Sequence, residues 1–145
     1  MLGKPARRRS RGALTALALV LGIAFLVSGC ATTSSAAAGV TEVDAQGFLA
    51  AAAQPGVVVV DVRSPEEFAS GHLPGALNIN VEADDFADRI AQLDPATQTL
   101  VYCRSGRRST IAAGLMSEAG FTNIVNFSSG GAADLAQAGA VLQTS

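Results

Sequence analysis

The chain has 145 residues, which is enough for one domain of ordinary size and too few for two. An apolar fraction of 49% with 15% charged residues excludes disorder of the whole chain. Five of the ten basic residues precede Cys30, whereas all twelve acidic residues follow it, so the later part has five arginines, no lysine and a net charge of −7. Such an acidic body argues against nucleic-acid binding, which requires a broad basic face.

The N-terminal segment has the three-part pattern of an export signal. Residues 1–12 are basic, residues 13–27 form an uncharged run of fifteen, and Val27-Ser28-Gly29-Cys30 places small residues before a cysteine. Fifteen residues fall short of the roughly 20 that a membrane-spanning helix needs. The Val27-Ser28-Gly29-Cys30 segment resembles a bacterial lipobox, which implies cleavage before Cys30 and lipidation of that cysteine. An ordinary secretory signal and an uncleaved anchor are the alternatives.

This interpretation divides the chain into a lipoprotein signal peptide at residues 1–29, a flexible tether at residues 30–39 and one domain at residues 40–145. Residues 31–39 are uncharged and low in complexity, which is typical of a flexible linker. The interpretation also predicts a protein that is lipid-anchored at the extracytoplasmic face of the cell membrane. With Cys30 lipidated, Cys103 is the only free thiol, so no internal disulfide is expected.

Segments of β-type pattern alternate with helical segments along the predicted domain. The predicted strands are residues 40–43, 57–62, 76–80, 100–103 and 124–127. The predicted helices are residues 44–53, a short helix that opens at Ser64, and residues 84–93, 108–119 and 132–138. Residues 57–62 form a continuous apolar run, as expected of a central strand covered on both faces. The alternation predicts an α/β domain with a mainly parallel central sheet flanked by helices on both faces.

One cysteine stands at the end of a predicted buried strand. Residues 100–102 deliver Cys103 into a polar loop that contains Gly106 and three arginines, and a helix is predicted to begin near Arg108 or Ser109. Loop amides can form an anion-binding nest, and a helix N-terminus adds partial positive charge, so both favour a thiolate. The pattern therefore predicts that Cys103 is a nucleophile at neutral pH.

A second polar strand end follows the central apolar run. Asp61 and Arg63 stand there, and the carboxyl ends of neighbouring parallel strands meet at one edge of a sheet, so we expect them close to Cys103. An internal ion pair that braces the loops is the expected role of these supporting residues, with Glu67 as a candidate partner for Arg63. His72 is expected to shape a turn, because a thiolate of low pKa needs no general base.

Three segments in a fixed order resemble the motifs of the rhodanese family. Residues 103–109 (Cys-Arg-Ser-Gly-Arg-Arg-Ser) are similar to its active-site loop, and residues 61–68 and 71–79 are similar to its other two signatures. The resemblance covers about residues 40–139. It implies the rhodanese-like α/β fold and a sulfurtransferase that moves a sulfane sulfur from a donor such as thiosulfate, through a persulfide on Cys103, to a thiol or cyanide.

The resemblance assigns roles within the cysteine loop. The loop arginines are expected to bind the sulfonate of a small anionic donor or the persulfide, Gly106 to adopt a positive φ, and Ser109 to cap the helix or to donate a hydrogen bond to the sulfur anion. The full expected anion-binding loop is Arg104, Ser105, Gly106, Arg107, Arg108 and Ser109. No metal or cofactor is expected. The expected partners are an external thiol or protein acceptor and the membrane, and the protein is expected to be a monomer.

Two other functions are compatible with a thiolate in an anion nest. A cysteine phosphatase would have an arginine six positions after the cysteine, where this chain has Ser109, and the shorter ring favours a single sulfur over a phosphate. A membrane-tethered persulfide carrier or sulfur-binding module with little turnover is the other alternative. No sequence feature separates such a carrier from an enzyme.

Overall fold

The computed structural model of the protein describes residues 39–145. The predicted signal peptide, most of the predicted tether and the predicted lipidation site Cys30 lie outside the described residues. Within residues 39–145, no helix is both long enough and apolar enough to span a membrane.

Five strands and five helices alternate along the described part of the chain. The strands are β1 (Val40–Glu42), β2 (Val58–Asp61), β3 (Leu77–Asn78), β4 (Thr99–Tyr102) and β5 (Ile124–Asn126). The helices are α1 (Ala45–Ala52), α2 (Pro65–Ala69), α3 (Phe86–Ile90), α4 (Arg107–Glu118) and α5 (Ala132–Gln137).

The strands form one sheet in the order β1-β5-β4-β2-β3, and every neighbouring pair is parallel. This confirms the predicted α/β fold with a parallel central sheet. Asp61 at the end of β2 lies opposite Tyr102 at the end of β4, and Val62 N donates to Tyr102 O over 3.1 Å. Because the last residues of β2 and β4 are paired with each other, the chain leaves both strands at the same edge of the sheet.

Side chains alternate across the sheet, so both faces are covered. Val101 and Cys103 point into a core with residues of α3 and α4, whereas Leu100 and Tyr102 point into a second core with residues of α1 and α5. The predicted layer of helices on each face is therefore present. Burial on both faces also explains why the central strands carry continuous apolar runs rather than alternating ones.

The ends of the helices follow the local capping residues. Asp44 accepts a hydrogen bond from Gly47 N over 2.8 Å at the start of α1, and Ser64 and Glu67 form a capping box at the start of α2. Helix α3 spans residues 86–90, whereas residues 84–93 were predicted, because Asp85 makes no side-chain cap and turns occupy both flanks. Strand β3 has only two residues.

Candidate active site

The cysteine loop turns sharply between β4 and α4. Its turning residue is Gly106, which has a φ of 88° and is the N-cap of α4. A Cβ at this position would lie 1.7 Å from Ser128 O, so both the left-handed backbone and the close approach require glycine. The predicted positive φ of Gly106 is confirmed, and α4 begins one residue earlier than predicted, at Arg107.

The sulfur of Cys103 lies beneath this turn. The residue is 1% exposed, and Gly106 N donates a hydrogen bond to Sγ over 3.1 Å. Burial by itself would raise the pKa of Cys103, but the amides of Ser105, Ser109 and Gly106, together with the Ser109 hydroxyl, stabilise the thiolate and lower the pKa. The surroundings of the sulfur therefore favour the thiolate over the thiol.

Ser109 is fully buried in the first turn of α4. Its hydroxyl lies within hydrogen-bond distance of Gly106 O, at 2.9 Å, and of Phe127 O, at 3.1 Å, and it also helps to lower the pKa of Cys103. Of the two roles expected for Ser109, helix capping is wrong, because Gly106 occupies the N-cap position. Donation of a hydrogen bond from Ser109 to the sulfur anion stays a prediction.

A surface pocket of about 320 Å³ lies next to the cysteine loop. It is lined by Arg63, Glu67, Ser70, Arg104, Ala132 and Ala133. The segment before α5 is fixed to the loop, because Ala132 N donates to Cys103 O over 3.0 Å and a Cβ on Gly131 would lie 1.9 Å from Arg104 O. The pocket thus takes its walls from three separate parts of the chain.

The arginines of the site differ in what they contact. Arg108 donates two hydrogen bonds to the Glu67 carboxylate, over 2.7 and 2.8 Å, and lies 3.4 Å from Glu82. Arg104 and Arg107 are exposed and form no ion pair within residues 39–145, and of these two only Arg104 lines the pocket. The expected binding of a donor anion by Arg108 is not supported, because two carboxylates already hold its guanidinium.

Asp61 and Arg63 form a buried ion pair at the end of β2. Arg63 Nε lies 2.9 and 3.0 Å from the two Asp61 oxygens, and Arg63 Nη2 also donates to Gly71 O over 2.7 Å. This bears out the expected internal ion pair. The expected partnership of Arg63 with Glu67 is wrong, because Arg63 pairs with Asp61 and the Glu67 carboxylate pairs with Arg108.

His72 shapes the turn after α2, as expected. Its Nδ1 lies 2.9 Å from Phe68 O, its ring stacks on Phe68 with 3.7 Å between centroids, and its backbone pairs with Gln143. Three of the pocket residues, Ser70, Ala132 and Ala133, were not predicted from the sequence. The Gly130-Gly131 pair was the available signal for the last two, since adjacent glycines often mark a close approach of backbones.

Comparisons with known proteins find a family and several relatives of this chain. Residues 44–138 match the family model described as a rhodanese-like domain. The chain is 37% identical over 75 residues to the thiosulfate sulfurtransferase GlpE of Pseudomonas entomophila, covering 52% of this chain and 67% of that protein. It is 38% identical over 79 residues to the thiosulfate sulfurtransferase PspE of Escherichia coli, covering 53% of this chain and 72% of that protein.

Solved structures show the same fold. The crystal structure of the Alr3790 protein from Anabaena sp. superposes with a TM-score of 0.64 at 24% identity, covering 71% of this chain and 82% of that one.

Proposed function

The chain belongs to the rhodanese-like domain family, and on that premise we propose that it is a sulfurtransferase in which Cys103 carries the transferred sulfur. The observation that carries the proposal is the position of the Cys103 sulfur, which accepts a hydrogen bond from Gly106 N and has a lowered pKa. The similarity to two thiosulfate sulfurtransferases supports the same reaction class.

The proposed reaction has two displacements at sulfur. In the first, the Cys103 thiolate attacks the outer sulfur of thiosulfate, the S–S bond of the donor breaks, and sulfite leaves with the bonding electron pair. In the second, cyanide or an external thiolate attacks the outer sulfur of the Cys103 persulfide, and the thiolate is restored. Splitting the transfer through a covalent intermediate makes each step easier than direct transfer between the two substrates.

The amides around Cys103 serve both forms of the cysteine. A thiolate and a persulfide anion each carry one negative charge, and backbone N–H groups that already point at the site stabilise that charge without reorganisation. In this proposal Arg104 binds the negatively charged group of the sulfur donor, because Arg104 lines the pocket and has no ion-pair partner within residues 39–145. A guanidinium binds an oxyanion through paired donors, which suits a sulfonate group.

The test is direct detection of the intermediate. The full-length protein is incubated with thiosulfate, and the peptide that contains Cys103 is weighed by mass spectrometry, which separates it from the peptide with Cys30. We expect the added mass of one sulfur atom, and its loss with release of thiocyanate when cyanide is added. Absence of the adduct would overturn the proposal, whereas an adduct that forms without catalytic turnover would identify a carrier.

The location is a separate part of the proposal. The Val27-Ser28-Gly29-Cys30 segment supports a signal peptide at residues 1–29, lipidation of Cys30, a tether at residues 30–39 and anchoring at the extracytoplasmic face of the membrane. Cys30→Ala should release the protein from the membrane fraction or block its processing. Normal processing with unchanged membrane retention in that variant would rule the lipoprotein interpretation out.

A further inference from the structure

One ion pair joins α2 to the first turn of α4. The Arg108 guanidinium meets the Glu67 carboxylate with both of its terminal nitrogens, Nη1 to Oε2 at 2.7 Å and Nη2 to Oε1 at 2.8 Å. The two side chains are 15% and 28% exposed. Such a two-point contact fixes direction as well as distance, unlike a surface ion pair held at a single point.

Glu67 is itself held in place by its own helix. Its backbone N–H donates to Ser64 Oγ over 3.3 Å, and its Oε2 accepts from Ser64 N over 3.3 Å. The carboxylate therefore stands at a defined point at the start of α2, a separate element from the cysteine loop. Arg108 lowers the pKa of Glu67, so this carboxylate is charged at neutral pH.

Arg108 occupies the turn whose amides surround the sulfur. It lies between Gly106, which donates to Cys103 Sγ over 3.1 Å, and Ser109, whose amide and hydroxyl also stabilise the thiolate. Nothing in this turn other than the Arg108 side chain forms an ion pair within residues 39–145. The ion pair thus adds a restraint from α2 to a turn whose backbone is also held by hydrogen bonds such as the one between Ser109 Oγ and Phe127 O.

We propose that Glu67 is a positioning residue for Cys103: its carboxylate anchors Arg108 and thereby keeps the amides of the α4 turn directed at the sulfur. The inference rests on the proposed function of Cys103 and extends it to Glu67, which lines the pocket and acts on the sulfur through Arg108. The same ion pair withdraws Arg108 from the pocket and leaves Arg104 to meet the donor.

The sign of one measurement separates this role from a simple charge effect. A carboxylate near a thiolate disfavours the thiolate, so loss of its charge alone would lower the pKa of Cys103. Loss of alignment of the amides has the opposite effect and raises that pKa. The two roles of Glu67 thus predict opposite changes in the reactivity of Cys103 at neutral pH.

The experiment compares Glu67→Gln with Glu66→Gln in the full-length protein. Glu66 is the exposed neighbour on the same turn of α2 and forms no ion pair in the described structure, so it controls for loss of one charge. The rate of iodoacetamide alkylation of the Cys103 peptide is followed against pH by mass spectrometry. We expect the Glu67→Gln rate at pH 7 to fall about 3- to 10-fold, with an unchanged plateau at high pH and an unchanged profile in the control.

Arg108→Lys is the second variant, because it keeps the positive charge and loses the forked donor. We expect it to shift the profile in the same direction as Glu67→Gln, and it decides the matter if circular dichroism shows that Glu67→Gln does not fold. A faster or unchanged alkylation rate in folded Glu67→Gln, or a lower melting temperature with no change in the pH profile, would overturn the inference. Alkylation requires no sulfur donor, so this outcome is independent of whether the protein transfers sulfur.

Discussion

Strands β2 and β4 end side by side, and a buried ionisable side chain lies at the end of each. Asp61 at the end of β2 is fully buried and paired with Arg63, whose guanidinium also lies 5.7 Å from the centre of the Tyr102 ring. Cys103 after β4 is equally buried, but its sulfur faces backbone amides and the turn beside a pocket. Both groups are buried. The partner of Asp61 is a side chain of opposite charge, whereas the sulfur of Cys103 accepts a hydrogen bond from a backbone amide.

This difference in partners indicates a structural role for Asp61 and a reactive one for Cys103. The Asp61 carboxylate is matched by the full countercharge of Arg63, whose Nη2 also donates to Gly71 O, so the two side chains satisfy one another inside the protein. The Cys103 thiolate is stabilised mainly by hydrogen-bond donors, and the Arg108 guanidinium, which is paired with Glu67, adds a weaker electrostatic attraction. A buried anion that keeps its charge next to a pocket can attack an electrophilic sulfur.

The largest effect is expected at the reactive end. Cys103→Ser should abolish formation of thiocyanate from thiosulfate and cyanide, because a hydroxyl cannot hold the transferred sulfur as a persulfide. Serine is nearly isosteric, so the circular dichroism spectrum and the melting temperature should change little. A folded Cys103→Ser protein that still produces thiocyanate above the enzyme-free background would refute the assignment of this strand end.

Asp61→Asn, at the end of β2, should reduce stability and leave the reactivity of Cys103 unchanged. It leaves the Arg63 guanidinium buried without a countercharge, so the free energy of unfolding should fall by about 3 to 5 kcal/mol in a urea titration. The exposed carboxylate of Asp88 is the control, and Asp88→Asn should change stability by less than about 0.5 kcal/mol. In the folded fraction of Asp61→Asn, the pH profile of Cys103 alkylation should stay unchanged. A shifted pH profile of alkylation in Asp61→Asn would show that the Asp61 ion pair also affects the Cys103 sulfur.

The two exposed loop arginines should respond differently to truncation. Arg104 lines the pocket and Arg107 does not, so Arg104→Ala should raise the thiosulfate KM about tenfold, which corresponds to loss of one charge-assisted contact of about 1.5 kcal/mol. Arg107→Ala should leave the KM within about twofold, because an exposed charge outside the pocket is screened by solvent. Steady-state kinetics at fixed ionic strength make the comparison. Equal effects of the two variants would contradict the assignment of the donor to the pocket.

The smallest effect is expected from removal of the Ser109 hydroxyl. The Ser109 hydroxyl lowers the pKa of Cys103, so Ser109→Ala should raise that pKa and reduce the thiolate fraction at pH 7. The alkylation rate should fall about two- to threefold at pH 7 and converge with that of the unmodified chain at high pH. Thr110→Ala is the matched control, because the Thr110 hydroxyl also donates to Gly106 O, over 2.9 Å. A similar loss in both variants would assign the effect to the turn rather than to the hydroxyl.

Much of the site could be predicted from the sequence because its parts are close along the chain. The seven residues from Cys103 to Ser109 contain the sulfur, the turning glycine and the amides that surround it, and Asp61 pairs with a residue only two positions away. The alternation of apolar runs with capped helical segments likewise predicts the parallel sheet, since strand and helix periods are local properties. These features depend on neighbours in sequence, and the structure bears them out.

The sequence by itself thus determined the α/β fold and the position of Cys103 in a loop between a strand and a helix. The tertiary structure alone decided which charges meet: Glu67 lies 41 positions before Arg108, and no periodicity indicates that these two side chains share an ion pair. It also brought Ala132 and Ala133 against the loop to close the pocket. Which side chains meet across tens of residues depends on how the helices pack on the sheet. That packing places Arg104 in the pocket and keeps Arg108 out of it.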